Sequence, residues 1–150
     1  MIDMEEAKQK VERDIAERKA RVQQILESDE DLLDEDRYPT EVALEAIEKW
    51  HWDDAKGWFE FIKHLWYFGS GWGWREEDVP HEWNMLRGYE NKIVHRYHIS
   101  TAGWSGNESI IRAMQNNNWM WRLSWVQSQR GGHYIFELKE FNDERMDDET

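Results

Sequence analysis

Apolar positions follow a helical spacing in the first half of the chain and a two-residue alternation in the second. Over residues 3–27, Met4, Val11, Ile15, Val22 and Ile25 fall on one narrow stripe, interrupted by Arg18, among Glu, Lys and Arg. That spacing predicts one long polar helix. Its stripe either pairs with a copy of itself, lies on the rest of the chain, or leaves a frayed, solvated helix. An acid-rich segment, 28–37, follows as a linker. A second helix opens at Pro39-Thr40-Glu41, with Val42, Leu44, Ala46 and Ile47 as its apolar side. After capping residues at Asp53 and Asp54, a third helix is expected over 55–68, with Trp58, Phe59, Phe61, Ile62, Leu65 and Trp66 on a wide buried face. Gly69 to Trp74 reads as a flexible aromatic loop, whose Trp72 and Trp74 either pack on the sheet or close over a ligand.

From Lys92 the period becomes two. Ile93, His95, Tyr97 and Ile99 alternate with Val94, Arg96 and His98, which predicts a strand. A short helix is expected over 107–115, with Ile110, Ile111 and Met114 inward. Trp119, Trp121, Leu123 and Trp125 then alternate with Met120, Arg122, Ser124 and Val126, as a strand would. Across the Gly131-Gly132 turn, Tyr134, Phe136 and Leu138 continue the alternation, completing a hairpin. The expected class is α+β, with N-terminal helices packed on a small antiparallel or mixed sheet. The organisation read from the sequence is an N-terminal amphipathic helix (1–27), an acidic linker (28–37), one α+β domain (38–141) and an acidic tail (142–150).

Composition narrows the chemistry. There is no cysteine, which removes disulfides, thiolate catalysis and cysteine-bound zinc. The formal charge of -13 argues against direct nucleic-acid binding and against anionic membranes. Neither a signal peptide nor a span of membrane-crossing length is visible, so a cytoplasmic location is expected. The 11 tryptophans divide between core filling and, for some, a ligand surface.

One segment reads as a site. The turn Ser100-Thr101-Ala102-Gly103-Trp104-Ser105-Gly106-Asn107-Glu108 leads from a strand into a helix. Its glycines permit unusual backbone geometry, and helix N-terminal amides attract anions. Ser105 or Asn107 could cap that helix, and Glu108 lies three residues after Ser105, at capping-box spacing. Arg122, Arg130 and His133 could neutralise phosphate, and Trp125 could hold a flat ring. The plainer readings are a helix cap for the turn, an exposed hairpin tip for Arg130 and His133, and the wet face of a strand for Arg122. Ser105 lacks the second glycine of a nucleophile elbow, Asn107 standing in its place. The six histidines show no metal-ligand spacing, so neither metal nor cofactor is expected.

The run His98-Ile-Ser-Thr-Ala-Gly-Trp-Ser-Gly-Asn-Glu108, with Trp119, Trp125, Ser128 and Arg130-Gly-Gly-His-Tyr134, resembles a family of uncharacterised small proteins encoded by tailed phages. The resemblance covers the last third well and the helices from Tyr38 to Trp74 more loosely. It implies a phage accessory protein made in the host bacterial cytoplasm, with counter-defence by sequestering a nucleotide signal as the analogous role. Three functions are therefore carried forward. The first is a non-enzymatic binder of a nucleotide-like phosphorylated ligand. The second is an acidic inhibitor or DNA mimic docked on a basic host protein. The third, and last in rank, is a nucleotide-acting enzyme. For either binder, the N-terminal helix offers a homo-oligomer contact.

Overall fold

A computed structural model of the chain describes residues 3–67 and 73–139. The loop around Trp72 and the tail 142–150 lie outside the described residues. The fold is α+β: five α-helices and a four-stranded antiparallel sheet of order β1-β2-β4-β3.

Helix α1 (Met4–Glu27) is N-capped by Asp3, whose side chain accepts from the amide of Glu5 at 3.0 Å. Only Val22 and Ile25 of its stripe are buried; Met4 and Val11 face solvent. Helix α2 (Glu41–Lys49) is capped by Thr40 and buries Ala43, Ala46 and Ile47. Arg21 of α1 grips Glu45 of α2 through both carboxylate oxygens, at 3.0 and 2.9 Å. The linker is folded too: Leu33 bridges Pro39 and, with Leu32, packs on the core. A 3-10 turn (Trp52–Asp54) delivers Asp54 as the cap of α3 (Ala55–Leu65), which buries Ala55, Trp58, Phe59, Ile62 and Leu65.

Strand β1 (Trp74–Pro80) was not anticipated, because its run Arg75-Glu76-Glu77-Asp78 carries no apolar alternation. It lies at a sheet edge, where such polarity is tolerated. Strand β2 (Ile93–Ser100) pairs antiparallel with β1 and with β4 (His133–Leu138), as the alternation predicted. Helix α4 (Ser105–Asn116) follows β2.

The expected strand from Trp119 to Val126 is corrected by the structure. Residues 118–124 form helix α5 (Asn118–Ser124), and β3 (Trp125–Gln129) starts only at Trp125. Asn117 decides this. Its side chain caps α5 by accepting from Met120 N, and it donates to the carbonyls of Ile47 and Trp50 at 3.0 and 2.8 Å. Met120 and Ser124, four residues apart, are then the buried pair, while Trp119 is 67% exposed.

Helix α3 covers one face of the sheet. Phe59 stacks on Tyr97 at 4.1 Å between ring centroids and meets Phe136 at 5.4 Å. Trp66 anchors the end of β2 through its indole N–H, which donates to the Ser100 carbonyl at 3.1 Å. The opposite face carries Arg75, Glu77, Arg96, His98, His133 and Glu137 beside Val94 and Ile135, and is mostly polar.

Candidate functional site

The two turns singled out in the sequence meet in space. Ser100 opposes His133 across β2 and β4, and the amide of Thr101 donates to the Gly132 carbonyl at 3.0 Å. The approach is close enough that a Cβ on Gly132 would sit 2.2 Å from Thr101 Oγ1, and Gly132 has φ +78°. Glycine is therefore required there on both counts. Ala102 and Gly103 both take positive φ, at 56° and 73°, so the chain reverses within two residues. The hydroxyls of Ser100 and Thr101 accept from the amides of Ala102 and Gly103 and close the turn on itself.

The helix start differs from its sequence reading. Trp104, not Ser105 or Asn107, occupies the N-cap position of α4, and no side chain caps it. Ser105 is the first helical residue, and its hydroxyl bonds the Tyr38 phenol at 2.7 Å. The Trp104 ring lies over Gly106, where an added Cβ would come within 2.2 Å of it, and packs against Tyr38 and Tyr67. Gly106 thus makes room for an indole. Asn107 is fully buried and clamps the main chain of Tyr67, accepting from its N–H and donating to its C=O, both at 3.0 Å. Glu108 is exposed.

Beside the joined turns, on the polar face of the sheet, lies a groove of about 430 Å³. Arg75, His98, Ser100, Gln129, His133 and Ile135 belong to that face and to the lining. Of the sequence-derived candidates, Ser100 and His133 line the groove directly; Thr101 and Gly103 build its turn. Arg130 stands exposed at the neighbouring hairpin tip. Arg122 and Trp125 are not in the lining: Arg122 sits on α5 instead of a strand, and Trp125 stacks on Trp121, its indole donating to Ser128.

Arg75, His98 and Gln129 were missed. Two-fold alternation places His98 on the same face as Ser100, so His98 could have been found. Arg75 could not, because β1 was not recognised. Glu77 holds this wall in place, bonded to His98 and, at 3.3 Å, to Arg75. The His98 hydrogen bond, aided by the charges of Arg75 and Arg96, keeps the Glu77 carboxyl below its ordinary range.

A second cleft, of about 310 Å³, opens between α3 and the sheet along Lys56, Phe59, Lys63, Glu76, His95 and Tyr97. His95 is held between Glu76 and Asp78, at 2.7 and 2.8 Å, and Lys63 bonds Glu76 at 2.9 Å. Burial pushes the Glu76 carboxyl up, but hydrogen bonds from His95, Lys63 and Trp74 outweigh it and leave the group low. Burial, then the charges of Glu76 and Glu60, push the Tyr97 phenol above its ordinary range. The cleft is a satisfied ion cluster whose carboxylates are already engaged.

Among the described residues, no three His, Asp or Glu side chains are grouped to hold a metal ion. No described helix is long and apolar enough to cross a membrane. Comparisons with protein-family models, with curated proteins and with solved structures find no match.

Proposed function

We propose that the chain is a non-catalytic binding protein that holds a small phosphorylated, nucleotide-like ligand in the groove beside the joined turns. The observation that carries this reading is the convergence of Arg75, His98 and His133 on one open groove of about 430 Å³, a size suited to a small ligand. A guanidinium matches the charge of a phosphate, and two imidazoles offer ring N–H groups to its oxygens. Ser100 and Gln129 add hydrogen-bonding groups for the rest of the ligand. Glu77 keeps Arg75 and His98 oriented, and an arriving phosphate competes with it for both. Among the described lining residues no nucleophile is held by a base, which favours binding over catalysis.

The resemblance to tailed-phage accessory proteins gives such binding a role, sequestration of a nucleotide signal in the host bacterial cytoplasm. The alternative, an acidic surface docked on a basic host protein, rests on the charge of -13 and the acid-rich segments 28–37 and 142–150. Titration calorimetry with a panel of linear and cyclic nucleotides tests the ligand reading. One binder is expected, weakened by Arg75→Ala and by His133→Ala. Absence of heat across the panel would remove the proposal.

A further inference from the structure

The sheet has two edges, and β1 is the more heavily guarded, β3 carrying only a bulge between Trp125 and Gln127. At the β1 edge stand Glu76, Glu77, Asp78 and Pro80; charges and proline both discourage another strand from adding. At the other edge, all five residues of β3 are exposed, and its outer side meets no further strand among the described residues. Trp125 and Val126 on β3 are 43% and 44% exposed, and Trp119 and Leu123, four residues apart on α5, extend the apolar patch. Single exposed apolar side chains are ordinary; two on a bare strand edge and two more on the helix that leads into it mark an interaction surface.

The charge of this edge is as distinctive as its shape. In a chain with 32 acidic residues, none occurs between Glu108 and Glu137. The same stretch carries Arg112, Arg122 and Arg130. Arg122 lies just before β3 and Arg130 immediately after it, both exposed, so an edge that is apolar at Trp125 and Val126 and uncharged over Gln127, Ser128 and Gln129 has a cation beyond each end.

We infer that β3 is a docking edge for an extended partner peptide with apolar side chains and flanking carboxylates, which adds to the sheet as a fifth strand. Backbone groups of β3 supply hydrogen bonds, Trp125 and Val126 receive the apolar side chains, and Arg122 and Arg130 meet the flanking acids. A second copy of the chain would bring its own arginines to the same edge and repel through its net charge of -13. A nucleic acid would find too few cations here for the phosphate contacts its affinity needs. This surface is independent of the groove reading, sharing with it only Gln129.

The test is fluorescence anisotropy on the full chain with a labelled peptide whose Val-Thr-Val-Thr-Val centre is flanked by glutamates. Its lysine-flanked counterpart and a labelled oligothymidine serve as rivals. The acidic peptide should bind about tenfold or more tightly than the lysine-flanked one. The double variant Arg122→Glu, Arg130→Glu should reverse that order, and NMR should show added amide protection over 125–129. Arg75→Ala should leave peptide binding intact, which separates this surface from the groove. Equal binding of both peptides, binding of neither, preference for the oligonucleotide, or sedimentation showing the free chain already paired through β3 would each overturn the inference.

Discussion

The two faces of the sheet are stabilised by different forces. On the covered face, Phe59, Tyr97 and Phe136 stack against each other, and nothing in that contact depends on charge. On the open face, cohesion comes from ion pairs: Arg96 to Glu137 at 2.7 Å, and Glu77 to Arg75 and His98. Dispersion and burial hold the aromatic centre of the first face whatever the solution, whereas salt and pH act on the second and on the Glu76, His95 and Lys63 cluster beside that centre.

That contrast can be broken from either side. Phe59→Ala should cost most, about 3–5 kcal/mol, because it empties the centre of the covered face. Urea unfolding should show that loss almost unchanged in high salt. Arg96→Ala should cost less, about 1–3 kcal/mol, by leaving buried Glu137 without its charged partner. Adding Glu137→Gln to it should recover part of the loss in a double-mutant cycle.

Acid should act on both faces without mutation, through Glu76 on the covered face and Glu77 on the open one. Glu76 and Glu77 are both lower in the folded state than the ordinary 4.5. Their contribution is complete above that pH and disappears as pH falls through the lowered values. Thermal melts below pH 4.5 should therefore fall more steeply in the native chain than in Glu77→Gln. The smallest effect is expected away from the sheet, at Glu45. Hydrogen bonds from Arg21 and Lys49 bring its carboxyl to about 2, yet the pairs are half-exposed. Glu45→Gln should cost only about 0.2–1 kcal/mol at neutral pH, a loss that added salt diminishes.

What the sequence disclosed divides along similar lines. Strand β2, helix α3 and the hairpin turn were legible because one side of each is apolar at a regular period. Strand β1 was not, since an edge strand needs only Trp74 to face the core. The alternating tryptophans before β3 misled for a related reason. Trp119 and Trp125 are among the exposed residues, so their spacing carried no information about burial, while Met120 and Ser124 kept the helical register inward. At the site, the meeting of the Ser100 and Gly132 turns follows from the pairing of β2 with β4, which the local pattern does not specify. Gly106 looked like a ligand-facing glycine, and only packing showed the Trp104 ring above it.

Helix α1 carries a consequence of its own. It runs 24 residues but buries only Val22 and Ile25, and its first side-chain ties to the rest of the protein come at Arg18 and Lys19. At about 1.5 Å per residue, some four turns project before the docked end begins. Opening should therefore proceed as a zipper from the amino terminus, with amides exchanging rapidly up to that point and slowly beyond it. A reporter fused at Met4 would ride on a lever whose fulcrum is the Arg21–Glu45 pair, sensing the tumbling of the protein while leaving its sheet undisturbed.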